Sequence, residues 1–278
     1  REKEFGSLLK KYMTCDMKES FLAALFRSGL MYECVPELKK VQGLVQHDQY
    51  HRFTVDAHLF QAVREVLRVK KRPSRLGRLA KLAKELKPGE WRILLWTALY
   101  HDLAKGRPGQ HEKKGFELVK KKFTRMSWSL RLPVEVAWMV KNHLELSVTA
   151  FRRNPNSPSS WRYLHEHGIK GRRLLLLAVF TAIDIRATNS DALNDWKERL
   201  LLDVVEVLRS NKATKYASLL ESANKRKIRL TKKFIKSMDP SLVESVPIKY
   251  ILNDFKKLKI TKGNLPIFIW QAKEGELW

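Results

Sequence analysis

Apolar residues recur through most of this chain three and four positions apart, the spacing that gathers them on one face of a helix. Leu59, Val63, Val66 and Leu67 predict a helix that Pro73 ends, since proline has no amide hydrogen to continue the ladder. Before it, Phe21-Leu22-Ala23-Ala24-Leu25-Phe26 predicts a short helix, with Gly29 suited to its end and Pro36 to the start of the next element. A basic segment carrying Leu76, Leu79 and Leu82 leads through Lys87-Pro88-Gly89 to the apolar run from Trp91 to Leu99. Further helices are predicted through Phe116, Leu118, Val119 and Phe123, from Pro133 through Val136, Met139 and Val140 to His143, and through Leu174 to Ile185. Trp196, Leu200, Leu201, Val204, Val207 and Leu208 mark one long amphipathic helix more. Lys105-Gly106-Arg107-Pro108-Gly109 must be a loop, and Asn154 to Ser160 reads as another. The best strand candidate is Leu265-Pro266-Ile267-Phe268-Ile269-Trp270. The pattern predicts an all-α helical bundle over 1–210, followed by a basic extension, 211–278, that ends in a short strand.

Composition narrows this picture without changing it. At 278 residues and 44% hydrophobic content the chain can build a sizeable core, and no apolar stretch reaches bilayer length. Arg1-Glu2-Lys3-Glu4-Phe5 carries mixed charge and no signal-peptide core, and the sequence starts without Met, so a fragment or processed product is expected. Two cysteines, Cys15 and Cys34, are too few for a disulfide framework or a thiolate metal site and fit a reducing, cytoplasmic setting. The formal net charge of +26 is an argument about partners, with nucleic acid, nucleotides and acidic proteins as candidates. Its basic runs, among them Lys70-Lys71-Arg72, Lys120-Lys121-Lys122 and Lys225-Arg226-Lys227, are scattered, as solvated faces are.

The candidate chemistry centres on His101-Asp102, which closes the apolar run at Tyr100. Neighbours on a helix lie about 100° apart, so both can reach one cation only near the helix edge, with other elements supplying the remaining ligands. His58 and His143 stand on predicted helices, His111 follows the glycine loop, and Asp184 is the one acid in the apolar segment from Leu174 to Ile185, where a charge needs a compensating partner. Imidazole and carboxylate together suit a first-row divalent metal or Mg²⁺.

The order of these residues resembles the HD phosphohydrolase superfamily. The segments Val55-Asp56-Ala57-His58, His101-Asp102-Leu103-Ala104-Lys105-Gly106-Arg107, Lys141-Asn142-His143-Leu144 and Ala182-Ile183-Asp184-Ile185-Arg186-Ala187-Thr188-Asn189 are similar to the HD domain of the bifunctional uridylyltransferase/uridylyl-removing enzymes. The resemblance implies that His58, His101, Asp102 and Asp184 hold one divalent ion, with His111 and His143 as ligands of a second or as phosphate contacts. Mn²⁺ or Mg²⁺ is the expected ion, iron a further candidate, with one or two bound. The implied catalytic set is His101, Asp102, Lys105, His111 and His143, with Lys105 either touching the departing phosphate or solvated. Arg152 and Arg153 are weighed as a phosphate clamp against an exposed pair, His47 and His51 as support for the first ligand helix, and His165 and His167 as surface residues of a strand or loop. The implied reaction is hydrolysis of the phosphodiester joining UMP to a tyrosine of a PII-like protein. The alternatives are a nuclease or second-messenger phosphodiesterase, and a non-catalytic binding module. The family's nucleotidyltransferase domain has no counterpart here, and of its ACT domains only an opening strand is echoed, at Leu265 to Trp270.

Overall fold

Among the described residues two helices are apolar on every side, and that decides where the centre lies, because such a helix can only be covered all round. They are α6 (Pro88–Tyr100), in which Trp91 and every residue from Ile93 to Tyr100 are buried, and α11 (Gly171–Thr188), buried from Leu174 to Ile183. In the computed structural model α4 (Val55–Lys71) packs against both. The structure describes residues 2–45, 53–125, 131–153 and 157–210. The expected strand from Leu265 to Trp270 lies outside them, as do His47 and His51. By its contacts the chain divides into Arg1–Ser210 and Asn211–Trp278.

Around the central helices come the amphipathic ones. Toward the N-terminus stand α1 (Glu2–Tyr12), α2 (Glu19–Arg27), α3 (Leu30–Cys34) and a 3-10 turn over Pro36–Lys40. After α4 a second 3-10 segment, Pro73–Leu79, leads to α5 (Ala80–Lys84). Beyond α6 lie α7 (His111–Arg125) and α8 (Arg131–Asn142), which pack on each other, with α8 also on α6. Then follow α9 (Glu145–Arg152), α10 (Pro158–Glu166), α11, a 3-10 turn at Ser190–Ala192 and α12 (Asp195–Arg209). The described residues are all helix, turn and loop, as an all-α bundle requires. No helix among them is long and apolar enough to cross a membrane.

Charged groups fix the registers that apolar packing leaves free. Glu65 on α4, only 6% exposed, takes both forks of Arg75 at 3.1 Å and Arg186 Nε at 2.8 Å, joining α4, the Pro73–Leu79 turn and α11. At the start of α6 the Glu90 carboxylate accepts the Lys87 amide at 2.7 Å and also binds Arg172 at the start of α11.

Three expectations need correction. The loop expected through Ser160 ends earlier, because Pro158, whose fixed φ suits a first helical position, opens α10. That helix carries His165 and leads into His167, whose Nδ1 lies 2.8 Å from the Tyr163 carbonyl, so their alternation belongs to a helix end rather than a strand. In α12 the inward positions are Leu201, Val204 and Val205, while Trp196 is 60% exposed.

Candidate metal centre

Each ligand-type side chain is aimed by its local backbone. His58 sits in the first turn of α4, its amide donating to the Thr54 carbonyl at 2.8 Å. Two residues earlier, Asp56 accepts the Tyr32 hydroxyl at 2.8 Å and the Gly43 amide at 3.0 Å, so the start of α4 is tied to α3 and to the segment before it. Burial pushes the Asp56 carboxyl up, but bonds from Thr54, Tyr32 and Gly43 outweigh it and hold it below the ordinary value of 3.8.

His101 caps the C-terminal end of α6 and is fully buried. Its Nδ1 lies 3.1 Å from the Ala98 carbonyl, which can only accept, so the proton belongs on Nδ1 and Nε2 turns inward. His143, one residue past α8, repeats the arrangement with the Val140 carbonyl at 2.8 Å. Backbone carbonyls that orient metal-binding imidazoles in this way are a recurrent support.

The inward atoms form two triads that share a neighbour. His58 Nε2, His101 Nε2 and Asp184 Oδ1 lie 2.9 to 3.2 Å apart. Asp102 Oδ2 is 3.4 Å from His101 Nε2 and 3.9 Å from His58 Nε2. On the other side Asp102 Oδ1 is 3.4 Å from His111 Nε2 and 3.6 Å from His143 Nε2. Ligands on adjacent corners of an octahedron with bonds of about 2.1 Å stand about 3.0 Å apart, and those of a tetrahedral site slightly farther. The first triad has that spacing. Asp102 Oδ1 and His111 Nε2 are buried without a hydrogen-bond partner, which costs free energy unless a cation satisfies them. Each triad can therefore hold one metal ion.

Electrostatics agree with a cation at this place. Burial opposes ionisation of Asp102 and Asp184, yet His101 and the other neighbouring imidazoles, with Lys105 beside Asp102, hold both carboxyls well below the usual range. Burial also works against charge on His101, but Asp102 and Asp184 more than offset it and raise its pKa. The carboxylates thus draw a proton to the place where a divalent ion would sit, and metal binding displaces such protons. Burial, then the nearby His101, pushes His143 down to about 4, so it stays the neutral imidazole that a ligand must be.

The remaining candidates divide. Lys105 Nζ lies 2.6 Å from Asp102 Oδ2 with the side chain 14% exposed, so this lysine rests on the Asp102 carboxylate rather than in solvent. Its loop bends at Gly106, whose φ of +76° few side chains tolerate and whose added Cβ would fall 2.8 Å from Leu44 Cδ2. Arg152 and Arg153 are both exposed, and Arg153 lies over the Tyr163 ring at 4.0 Å, so the clamp gains no support. Sequence reasoning gave no role to Asp56, although its place two residues before His58 was a signal. The carbonyls of Ala98 and Val140 leave no signal in a sequence.

A family model described as HD domain matches residues 74–183. That span includes His101, Asp102, His111 and His143, while His58 precedes it and Asp184 follows it directly. Among curated proteins, the bifunctional uridylyltransferase/uridylyl-removing enzyme of Novosphingobium aromaticivorans is 34% identical over 197 residues, 69% of this chain and 21% of the relative. The enzymes of that name from Pseudomonas putida and Nitrosococcus oceani are 33% and 34% identical over 185 and 183 residues, each covering 65% of this chain and 20% of the relative. The match thus spans about a fifth of these relatives' length.

Proposed function

We propose that this chain, whose residues 74–183 match the HD domain family model, is a divalent-metal-dependent phosphohydrolase that breaks a phosphodiester bond. The observation that carries the proposal is the Asp102 carboxylate, with one oxygen toward His58 and His101 of the first triad and the other toward His111 and His143. A divalent ion in such a site supplies a water activated at neutral pH and Lewis-acid polarisation of phosphoryl oxygens. The chain's own part is to fix the ligands. His101 and His143 present Nε2 because their Nδ1 protons are committed to Ala98 and Val140. Lys105 sets a positive charge beside the bridging carboxylate, within reach of an anionic substrate oxygen.

The words uridylyl-removing in the relatives' name, with the family resemblance of the sequence motifs, support a finer form of this proposal. The substrate is UMP joined through its phosphate to a tyrosine of a PII-like protein. Water adds to phosphorus, the bond from phosphorus to the phenol oxygen breaks, and tyrosine leaves with a proton. Purified chain supplied with Mn²⁺ or Mg²⁺ is expected to release UMP from uridylylated PII, and the double variant His101→Ala, Asp102→Ala to release none. Unchanged turnover in that variant would overturn the site. Failure on uridylylated PII together with turnover of a generic phosphodiester would leave the reaction class and remove the substrate.

The net charge of +26 favours a second reading, in which the same site acts on nucleic acid or a nucleotide second messenger. Oligonucleotide cleavage and binding that falls steeply with salt would select it, since each neutralised phosphate releases counterions.

A further inference from the structure

The lysine run at 120–122 is resolved by the fold into three different environments. Lys120 reaches over the Phe116 ring at 5.1 Å, Lys121 is exposed, and Lys122 is 5% exposed. Lys121 and Lys122 line a cavity of about 590 Å³ formed by α7, the Pro36–Lys40 turn and the loop that follows Asp102. Lys40, Arg107, Lys113 and Lys114 supply four more cations to its walls, against the carboxylates of Glu37 and Glu117 alone. That leaves an excess of four positive charges in one concave site.

Little of this charge is answered from within. Lys122 lies 3.5 Å from Glu37, whose Oε2 is buried without a hydrogen bond. The Lys114 ammonium donates to the Pro108 carbonyl, which orients it but does not neutralise it. Among the described residues no carboxylate comes within ion-pair distance of Lys40, Arg107, Lys113 or Lys121. Six cations around one concavity repel one another, and a bound polyanion would relieve that repulsion.

We infer that this cavity binds a small anion carrying two or more phosphate groups. Its volume is that of a small-ligand site, and its cations converge from three elements on one open concavity, whereas a nucleic-acid surface lays them along a track. None of the lining residues belongs to the two triads, so the site stands independently of the proposed hydrolysis.

Titration calorimetry of the full chain with inorganic tripolyphosphate at near-physiological salt tests it. One tripolyphosphate per chain is expected at this site, with Lys121→Glu and Lys40→Glu, both exposed positions, each weakening binding by at least about tenfold. Lys81→Glu on α5, which changes the net charge equally outside the cavity, is expected to bind as the parent does, and so is His101→Ala. Circular dichroism checks that each variant folds. Loss in Lys81→Glu equal to that in Lys121→Glu would make the binding diffuse attraction and overturn the site. So would indifference to Lys121 and Lys40, or a Lys121 dependence seen with a single-stranded oligonucleotide and not with tripolyphosphate. Running ATP beside tripolyphosphate tells a nucleotide from inorganic polyphosphate.

Discussion

Asp102 faces both triads with one carboxylate, and its substitution should differ in kind from that of its neighbours. Asp102→Asn is expected to lower metal content at both triads, and Asp184→Asn only at the first, as elemental analysis of Mn²⁺-loaded protein would show. Loss of activity in either should exceed about a hundredfold, the upper end of what supporting residues cost. Equal metal content in the two variants would mean the triads do not share Asp102. Asp56 makes a second prediction. Its folded pKa lies below 3.8, so its bonds to Tyr32 and Gly43 contribute fully above that value and are lost as pH falls through the folded one. Asp56→Asn should therefore melt earlier than the parent by a constant margin of about 1 kcal/mol at pH 5 to 8, and the margin should shrink below about pH 4. A margin independent of pH would refute the role of charge. At this scale the sequence was legible wherever a residue type is rare in its setting, as Asp184 is in an apolar run. It left Lys105 open between a phosphate contact and solvent, because a lysine beside glycines looks alike whether it meets a charged partner or water.

The helices were legible for a different reason. Apolar spacing reports which face is covered, and Pro73, Pro88 and Gly106 mark where helices cannot continue or must turn. What spacing cannot report is which helix does the covering. That α4 lies against both α6 and α11, and α7 against α8, follows from three-dimensional fit, and the short start of α10 was missed because its serines and prolines resemble a loop. The contact between α7 and α8 bears directly on the second triad. Gly115 on α7 has Val140 of α8 so close that an added Cβ would stand 2.7 Å from Val140 Cγ1, and Val140 is fully buried. Gly115→Ala is expected to push the helices apart, costing about 1 to 3 kcal/mol as other overpacked contacts do. Because His111 and His143 approach across this contact, with ring centroids 5.5 Å apart, the variant should lose ion from the second triad before the first. Wild-type affinity at both would show that the two helices tolerate the added methyl.

Across the whole molecule, the candidate ligands run from His58 to Asp184 and come together only when α4, α6, α7, α8 and α11 have all docked. An ion held by the folded arrangement alone stabilises it by mass action, by about 2.7 kcal/mol at a hundred times its dissociation constant. Added Mn²⁺ should raise the melting temperature of the metal-stripped chain, and chelation should reverse the rise. The variant His101→Ala, Asp102→Ala should show no shift, and a shift retained there would assign the stabilising ion elsewhere. Composition foretold a strongly basic molecule, but it could not foretell that six of those cations would face one cavity beside the Pro36–Lys40 turn. The shared carboxylate has one consequence more. If each triad takes an ion, the first to arrive alters the charge and orientation of a ligand the second must use, so neither affinity belongs to its site alone. Linkage then requires that the factor by which the ion at His58 changes binding at His143 be the same in the reverse direction, which makes occupancy of the pair a single titration read from two ends.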